Sequence, residues 1–204
     1  MDKLDRRSIL KLLSSAPVAA AFALTESEAL QAHSLAQAAR QTAQKAGTVF
    51  KPKFFTPHEY QTVRILVDLI IPRDERSGSA TDAGVPEFMD FTMADQPARQ
   101  TAMRGGLAWL DLECQQRFDK RFVGCAPEQR TAVLDDIAGY KPADEETSHG
   151  VAFFRSFRDL TATGFWTSKM GIQDLGYIGN TFVPVWNGCP TDVLTKLGLP
   201  AQHE

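Results

Sequence analysis

The chain has 204 residues, 43% of them hydrophobic and 23% charged, a composition typical of one soluble globular domain with additional segments. Its formal net charge of −3 and its pI near 5.8 provide no positive surface for nucleic acid. Three cysteines are present, none in a CxxC or CxxCH arrangement, so the pattern indicates neither a redox dithiol nor a covalently attached c-type haem.

The N-terminus has the features of an export signal. Arg6 and Arg7 precede an apolar run over residues 9–24, and a short polar region with small residues follows. This order resembles the bacterial twin-arginine signal and predicts a signal peptide over residues 1–29, with Ala29 as the last residue removed. The alternative is a chance arginine pair before a core helix. The signal predicts a periplasmic protein, associated with the inner membrane if the leader is retained.

Residues 30–54 are rich in Ala and Gln and predict either a single amphipathic helix or a flexible arm. Residues 55–204 predict a helical domain. Its first helix has a strong start, because Thr56 can cap, Pro57 suits the first helical position and Glu59 completes a capping box. His58, beside the cap, is expected on the surface. Apolar residues follow at helical spacing: Tyr60, Val63, Leu66, Val67 and Ile70.

Further helices are expected after a polar loop at residues 73–83. They are predicted over residues 85–91, 97–121, 127–139, 151–163 and 191–197. The apolar face of the longest consists of Met103, Leu107, Leu110, Cys114 and Phe118. The acidic pairs at residues 135–136 and 145–146 are expected on the solvated surface. No segment alternates convincingly as a strand would, so the predicted fold is all-α, a small irregular helical bundle.

Residues 164–190 differ from the rest of the chain, because glycines and aromatic residues are concentrated there. Glycines at this density break helical periodicity, and the aromatic content argues against disorder. The pattern predicts a long ordered loop that packs on its own domain or on another protein. Its aromatic residues are Phe165, Trp166, Tyr177, Phe182 and Trp186.

An ordered set of motifs resembles one protein family. The motifs are FTPHE at residues 55–59, LIIP at 69–72, FFRSFRDLT at 153–161, GFWTS at 164–168 and LGYIG at 175–179. Together with the twin-arginine leader, they resemble the gluconate 2-dehydrogenase subunit 3 family. The resemblance extends from about residue 55 to the C-terminus.

The resemblance implies a small non-catalytic subunit that binds no cofactor itself. Members of the family accompany an FAD-dependent dehydrogenase of the glucose–methanol–choline type, often together with a c-type cytochrome that carries haem. The FAD-containing large subunit oxidises a sugar, a sugar acid or a glycoside. It commonly lacks a leader of its own, so the small subunit escorts it through the twin-arginine translocase. The sequence agrees in that it contains no GxGxxG, GxSxG or HExxH motif.

The predicted partner interface lies in the aromatic loop, since Trp and Tyr are enriched at interface hot spots. The candidates are Phe165, Trp166, Asp174, Tyr177, Trp186 and Cys189. The aromatic candidates either divide between anchoring the loop and contacting the partner, or are all internal. The alternative function is a stand-alone periplasmic sugar-binding protein or enzyme that uses this loop as a pocket, with Asn180 and Asn187 among its polar groups.

The cysteines allow one internal pair. Cys114 and Cys125 can meet if the chain turns back after the long helix, and the alternative is that Cys114 is a buried thiol. Cys189 either pairs with the partner subunit or stays free.

Overall fold

The computed structural model describes residues 22–139, 147–177, 179, 182, 184–185 and 188–199. This part of the chain forms helices and no strand, which confirms the all-α prediction. The helices are α1 (Glu26–Lys45), α2 (Pro57–Ile70), α3 (Ala80–Ala83), α4 (Val85–Asp95), α5 (Pro97–Phe118), a 3-10 turn (Phe122–Gly124), α6 (Pro127–Ile137), α7 (Ser148–Trp166), α8 (Lys169–Leu175) and α9 (Thr191–Lys196). None of these helices is both long and apolar enough to cross a bilayer.

Helix α4 lies at the centre of the bundle and packs against α1, α2, α3, α5 and α7. Eight of its eleven residues are buried, which is expected of a helix that is surrounded on all sides. Two of the eight are acidic. Asp90 accepts hydrogen bonds from the backbone N–H groups of Lys53, Phe54 and Phe55 at 2.8–3.0 Å, and Glu87 forms an ion pair with Arg40. The three N–H donors compensate for the burial of Asp90, and Arg40 offsets the charge of Glu87 only in part, since one Glu87 oxygen has no hydrogen-bond partner among the described residues.

The capping signals at the start of α2 are confirmed. The Thr56 side chain accepts from the backbone N–H of Glu59, the Glu59 carboxylate accepts from the backbone N–H of Thr56, and Pro57 is the first helical residue. The predicted apolar face of α5 is also confirmed, with Met103, Leu107, Leu110 and Cys114 buried and Phe118 half-buried. Local signals were sufficient here because capping and periodicity act within one helix.

Helix α1 covers most of the Ala/Gln-rich region, where the sequence predicted either a helix or a flexible arm, and it begins at Glu26, capped by Thr25. It packs on α4 through a narrow stripe of small side chains with one histidine: Ala29, Ala32, His33 and Ala36. Ala29, the last residue of the predicted signal peptide, lies in the first turn of α1 and is 2% exposed. Cleavage after Ala29 stays a prediction, and it would remove the Thr25 cap and the buried Phe22 from the bundle.

Several predicted boundaries were wrong. The polar loop at residues 73–83 contains α3, which Ser79 caps. Helix α4 extends to Asp95, and α7 extends to Trp166, three residues beyond its predicted end. The last prediction missed because Gly164 was interpreted as a break. Gly164 instead lies where α7 meets α4, and a Cβ there would come within 2.8 Å of the Phe88 ring.

Candidate partner interface

The first half of the predicted loop is helical. After α7 ends at Trp166, the buried Ser168 caps α8: its hydroxyl donates to the Phe165 carbonyl at 2.6 Å and accepts from the Gly171 N–H at 3.0 Å. A Cβ on Gly171 would lie 2.1 Å from that same carbonyl oxygen, so only glycine fits. The prediction of a continuous loop over residues 164–190 is therefore wrong for residues 164–175. Its glycines allow close packing rather than interrupting the helices.

Phe165 is buried inside the bundle, whereas its neighbour Trp166 lies at the surface. Phe165 is 1% exposed and belongs to the core, so it anchors the segment and is removed from the interface candidates. Trp166 is 38% exposed and packs edge-on against Phe165, with the ring centroids 4.9 Å apart. The last turn of α7 thus holds an indole at the surface on a rigid support.

Asp174 has an internal partner. Its side chain is half-buried and lies 3.3 Å from the Arg76 guanidinium, which also donates to the Asp174 carbonyl at 2.6 Å. Arg76 belongs to the connection between α2 and α3, so this pair fixes α8 to the body of the domain. Asp174 therefore positions the segment and is only partly available to a ligand or partner.

From Leu175, the last residue of α8, onward, most of the described large apolar side chains face solvent. Leu175 is 59% exposed, Tyr177 62% and Phe182 87%. Exposed apolar side chains continue with Val185, Val193, Leu197 and Leu199, while Leu194 is buried. The side chain of Cys189 is also exposed. Such a concentration of exposed apolar surface in one stretch is typical of an interaction site.

The sequence prediction did not include the aliphatic residues of this surface. Val193 and Leu197 are spaced as one face of the predicted last helix, so their pattern alone marks them as core residues, whereas Leu175, Val185 and Leu199 belong to no helical or strand pattern. Three predicted residues, Trp186, Asn180 and Asn187, lie outside the described residues, as do Arg6 and Arg7 of the leader.

A second surface lies between α2, α6 and α7. It is a groove of about 290 Å³ whose apolar lining consists of Leu69, Ile70, Leu134, Ala138 and Phe154, with Asp135 and Arg158 beside it. None of the described residues from Trp166 to Leu199 lines it. The groove therefore gives no support to a sugar pocket formed by the aromatic loop.

His58 is less exposed than the sequence predicted. It is half-buried, and its Nε2 lies 2.5 Å from Asp111 Oδ2, while Asp111 Oδ1 accepts from the Phe122 N–H at 3.0 Å. These contacts join α2, α5 and the 3-10 turn, so His58 has a structural role. Among the described residues, no group of three His, Cys, Asp or Glu side chains is arranged to hold a metal ion.

Comparison with known proteins identifies the family of this chain. Residues 57–188, well over half of the chain, match the gluconate 2-dehydrogenase subunit 3 family. The matched region begins at the first residue of α2 and includes the exposed Tyr177 and Phe182, but it ends before α9. No curated protein and no solved structure matches the chain. The chain belongs to the gluconate 2-dehydrogenase subunit 3 family.

Proposed function

We propose that this chain is the non-catalytic small subunit of a dehydrogenase complex. It binds, stabilises and escorts a large FAD-dependent subunit of the glucose–methanol–choline type that oxidises a sugar, a sugar acid or a glycoside. The family to which the chain belongs is named as a subunit, which supports an accessory role. FAD is held by the large subunit in this proposal, and a c-type cytochrome completes the electron path.

The observation that carries the proposal is the exposed apolar segment after α7. Tyr177, Phe182 and Leu175 are 62%, 87% and 59% exposed, whereas aromatic residues of the preceding helices such as Phe88 and Phe157 are fully buried. Burial of one side chain of this size contributes roughly 1.5–3 kcal/mol. A few such residues at the centre of an interface carry most of the binding energy, so this segment fits the surface of a partner protein.

The segment is also held in a way that favours binding. Trp166 rests on the buried Phe165, and the ion pair of Asp174 with Arg76 fixes α8 to the domain. Because these supports exist before binding, less conformational entropy is lost when a partner docks. The segment from Trp166 to Tyr177 is therefore expected to bind as a preformed surface.

The escort role rests on the leader. With Arg6 and Arg7, the small subunit carries the twin-arginine signal for both chains, and the complex is periplasmic. The large subunit then has to be bound before export, because it has no signal of its own in this proposal. An apolar docking surface that is already folded suits that order of events.

The test is co-expression of this chain with an FAD-dependent large subunit encoded beside it. Leu175→Ala is compared with Leu112→Ala, since Leu112 on α5 is similarly exposed at 53% but lies outside the segment. We expect Leu175→Ala, and more strongly the double variant with Phe182→Ala, to reduce co-purification of the flavoprotein at least tenfold. Leu112→Ala should leave it unchanged.

The escort is tested in the same strains. Replacement of Arg6 and Arg7 by lysine should leave the flavoprotein in the cytoplasm with its flavin bound. Equal loss of binding for Leu175→Ala and Leu112→Ala would contradict the docking surface. Export of the flavoprotein without this chain would contradict the escort, and sugar oxidation by the isolated chain would support the stand-alone alternative instead.

A further inference from the structure

The residues immediately before α1 are packed into the domain. Phe22 is 4% exposed and belongs to the same buried core as α4, and Leu24 is half-buried against that core. Thr25 then caps α1: its side chain accepts from the Glu28 N–H, and the Glu28 carboxylate accepts from the Thr25 N–H at 2.8 Å. The folded domain therefore begins no later than Phe22.

The first turn of α1 is held from two sides. Ala29 is 2% exposed, and its N–H donates to the Thr25 carbonyl at 3.0 Å. The Gln96 side chain, at the end of α4, donates to the Glu28 carboxylate at 3.0 Å. Because proteases cleave exposed or locally unfolded segments, a cut after Ala29 would require this turn to unwind.

The sequence offers other cleavage sites in front of the domain. A signal peptidase recognises an A-x-A pattern and cuts after its second alanine. Within residues 1–29 this pattern occurs twice, at residues 19–21 and 21–23, whereas the cut after Ala29 has Ser27 in place of the first alanine. A cut after Ala23 would remove the buried Phe22, and a cut after Ala29 would also remove the Thr25 cap.

We propose that the signal is cut after Ala21, so that the mature chain begins at Phe22. Water hydrolyses the peptide bond between the two residues, which leaves a carboxylate on Ala21 and a free amino group on Phe22. Of the two A-x-A sites, this is the one whose cleavage leaves the described fold complete. The proposal rests on the export role in the proposed function, because a chain that stays in the cytoplasm meets no signal peptidase.

This position of the cut fits a chain that folds and binds its partner before export. The domain then keeps α1 throughout, since the cut lies outside it. Helix α1 also supports the partner surface: His33 Nε2 lies 2.5 Å from the Gly164 carbonyl oxygen, two residues before Trp166. A cut inside α1 would weaken that support after the partner had bound.

The experiment is co-expression of the full-length chain with the large subunit, followed by N-terminal sequencing and intact mass measurement of the small subunit from the periplasm. We expect an N-terminus at Phe22. An N-terminus at Leu24 or Leu30, or an uncut chain in the periplasmic complex, would overturn this inference and leave the export role standing. A chain that remains in the cytoplasm with its leader would contradict both.

Variants identify the site. Ala21→Leu places a large residue before the scissile bond and should reduce the processed fraction at least tenfold. Ala23→Leu and Ser27→Leu are matched controls at exposed positions, and both should be processed at Phe22 as in the wild-type chain. Normal processing of Ala21→Leu, or loss of processing in either control, would contradict a cut after Ala21.

A thermal measurement tests the packing that selects this site. Phe22→Ala should lower the Tm of the exported chain by about 5–10 °C, because it empties a buried position. Ala23→Ser, at the exposed neighbouring position, should leave the Tm unchanged. An unchanged Tm in Phe22→Ala would overturn the reason for preferring the cut after Ala21 to the cut after Ala23.

Discussion

The body of the domain, residues 22–165, and the C-terminal segment, residues 166–199, differ in how far their described aromatic side chains are buried. In the body, α4 is almost entirely buried, and its acidic residues Asp90 and Glu87 are matched by backbone N–H groups and by Arg40. In the segment, Tyr177 and Phe182 are mostly in solvent. The two regions are joined without a break, because α7 belongs to both.

The difference indicates which task each region performs. A region that buries its aromatic side chains gains stability from its own packing. A region that leaves large apolar side chains in water gains stability only when another surface covers them. The body is thus a scaffold, and the segment is the part that a partner can stabilise by covering its exposed apolar side chains. Variants at the boundary between the two regions test this division directly.

The largest effect is expected at the boundary itself. Phe165→Ala should lower the free energy of unfolding of the isolated chain by about 3–5 kcal/mol, because it empties a fully buried site. Trp166→Ala should lower it by no more than about 1.5 kcal/mol, mainly through loss of the edge-on contact with Phe165, while partner binding weakens. Urea unfolding and co-purification measure the two quantities. Equal destabilisation by both substitutions would assign Trp166 to the core.

A smaller effect tests how tightly the body is packed. A Cβ on Gly106 would lie 1.9 Å from the Phe153 ring, where α5 crosses α7, whereas a Cβ on Gly105 would meet no atom within 4 Å. Gly106→Ala should therefore destabilise by about 1–3 kcal/mol through overpacking. Gly105→Ala should stabilise by about 0.5–1 kcal/mol, since alanine loses less entropy than glycine in a helix. Thermal unfolding of the two variants measures both effects at adjacent positions. Stabilisation by both substitutions would show that α5 and α7 are not tightly packed at Gly106.

The smallest effect concerns the link between α1 and the end of α7. His33 stacks on Phe88 and donates from Nε2 to the Gly164 carbonyl at 2.5 Å, and burial lowers the pKa of His33. The unfolded chain therefore binds a proton at this site more readily than the folded chain. The contribution of neutral His33 to the free energy of unfolding is fully present above the ordinary histidine pKa of about 6.5. It decreases as the pH falls below that value, by at most about 1.4 kcal/mol per pH unit.

His33→Gln should remove this slope, because glutamine can donate to Gly164 without titrating. Urea unfolding of both proteins between pH 5 and 7.5 measures it. Carboxylates such as Asp82, whose pKa the Ser79 backbone N–H lowers, act only at more acidic pH. An identical pH dependence in the variant and the wild-type chain would show that His33 is not the responsible group.

Sequence patterns determined what depends on neighbours along the chain. The capping box at Thr56 and the apolar face of α5 follow from hydrogen bonds and spacings within one helix, and both were predicted. The family motifs were equally local, and the match over residues 57–188 confirms them. The all-α class followed from the same patterns, because periodicity is a property of each segment alone.

Only the tertiary structure decided what depends on residues distant in the chain. Gly164 and Gly171 were interpreted as breaks, but each is glycine because another group, the Phe88 ring or the Phe165 carbonyl, occupies the space of a side chain. The docking of α1 through His33 depends on a carbonyl 131 residues away. The sequence likewise does not show that Phe165 is buried and Trp166 exposed, since burial depends on how whole helices pack and not on the identity of the residue.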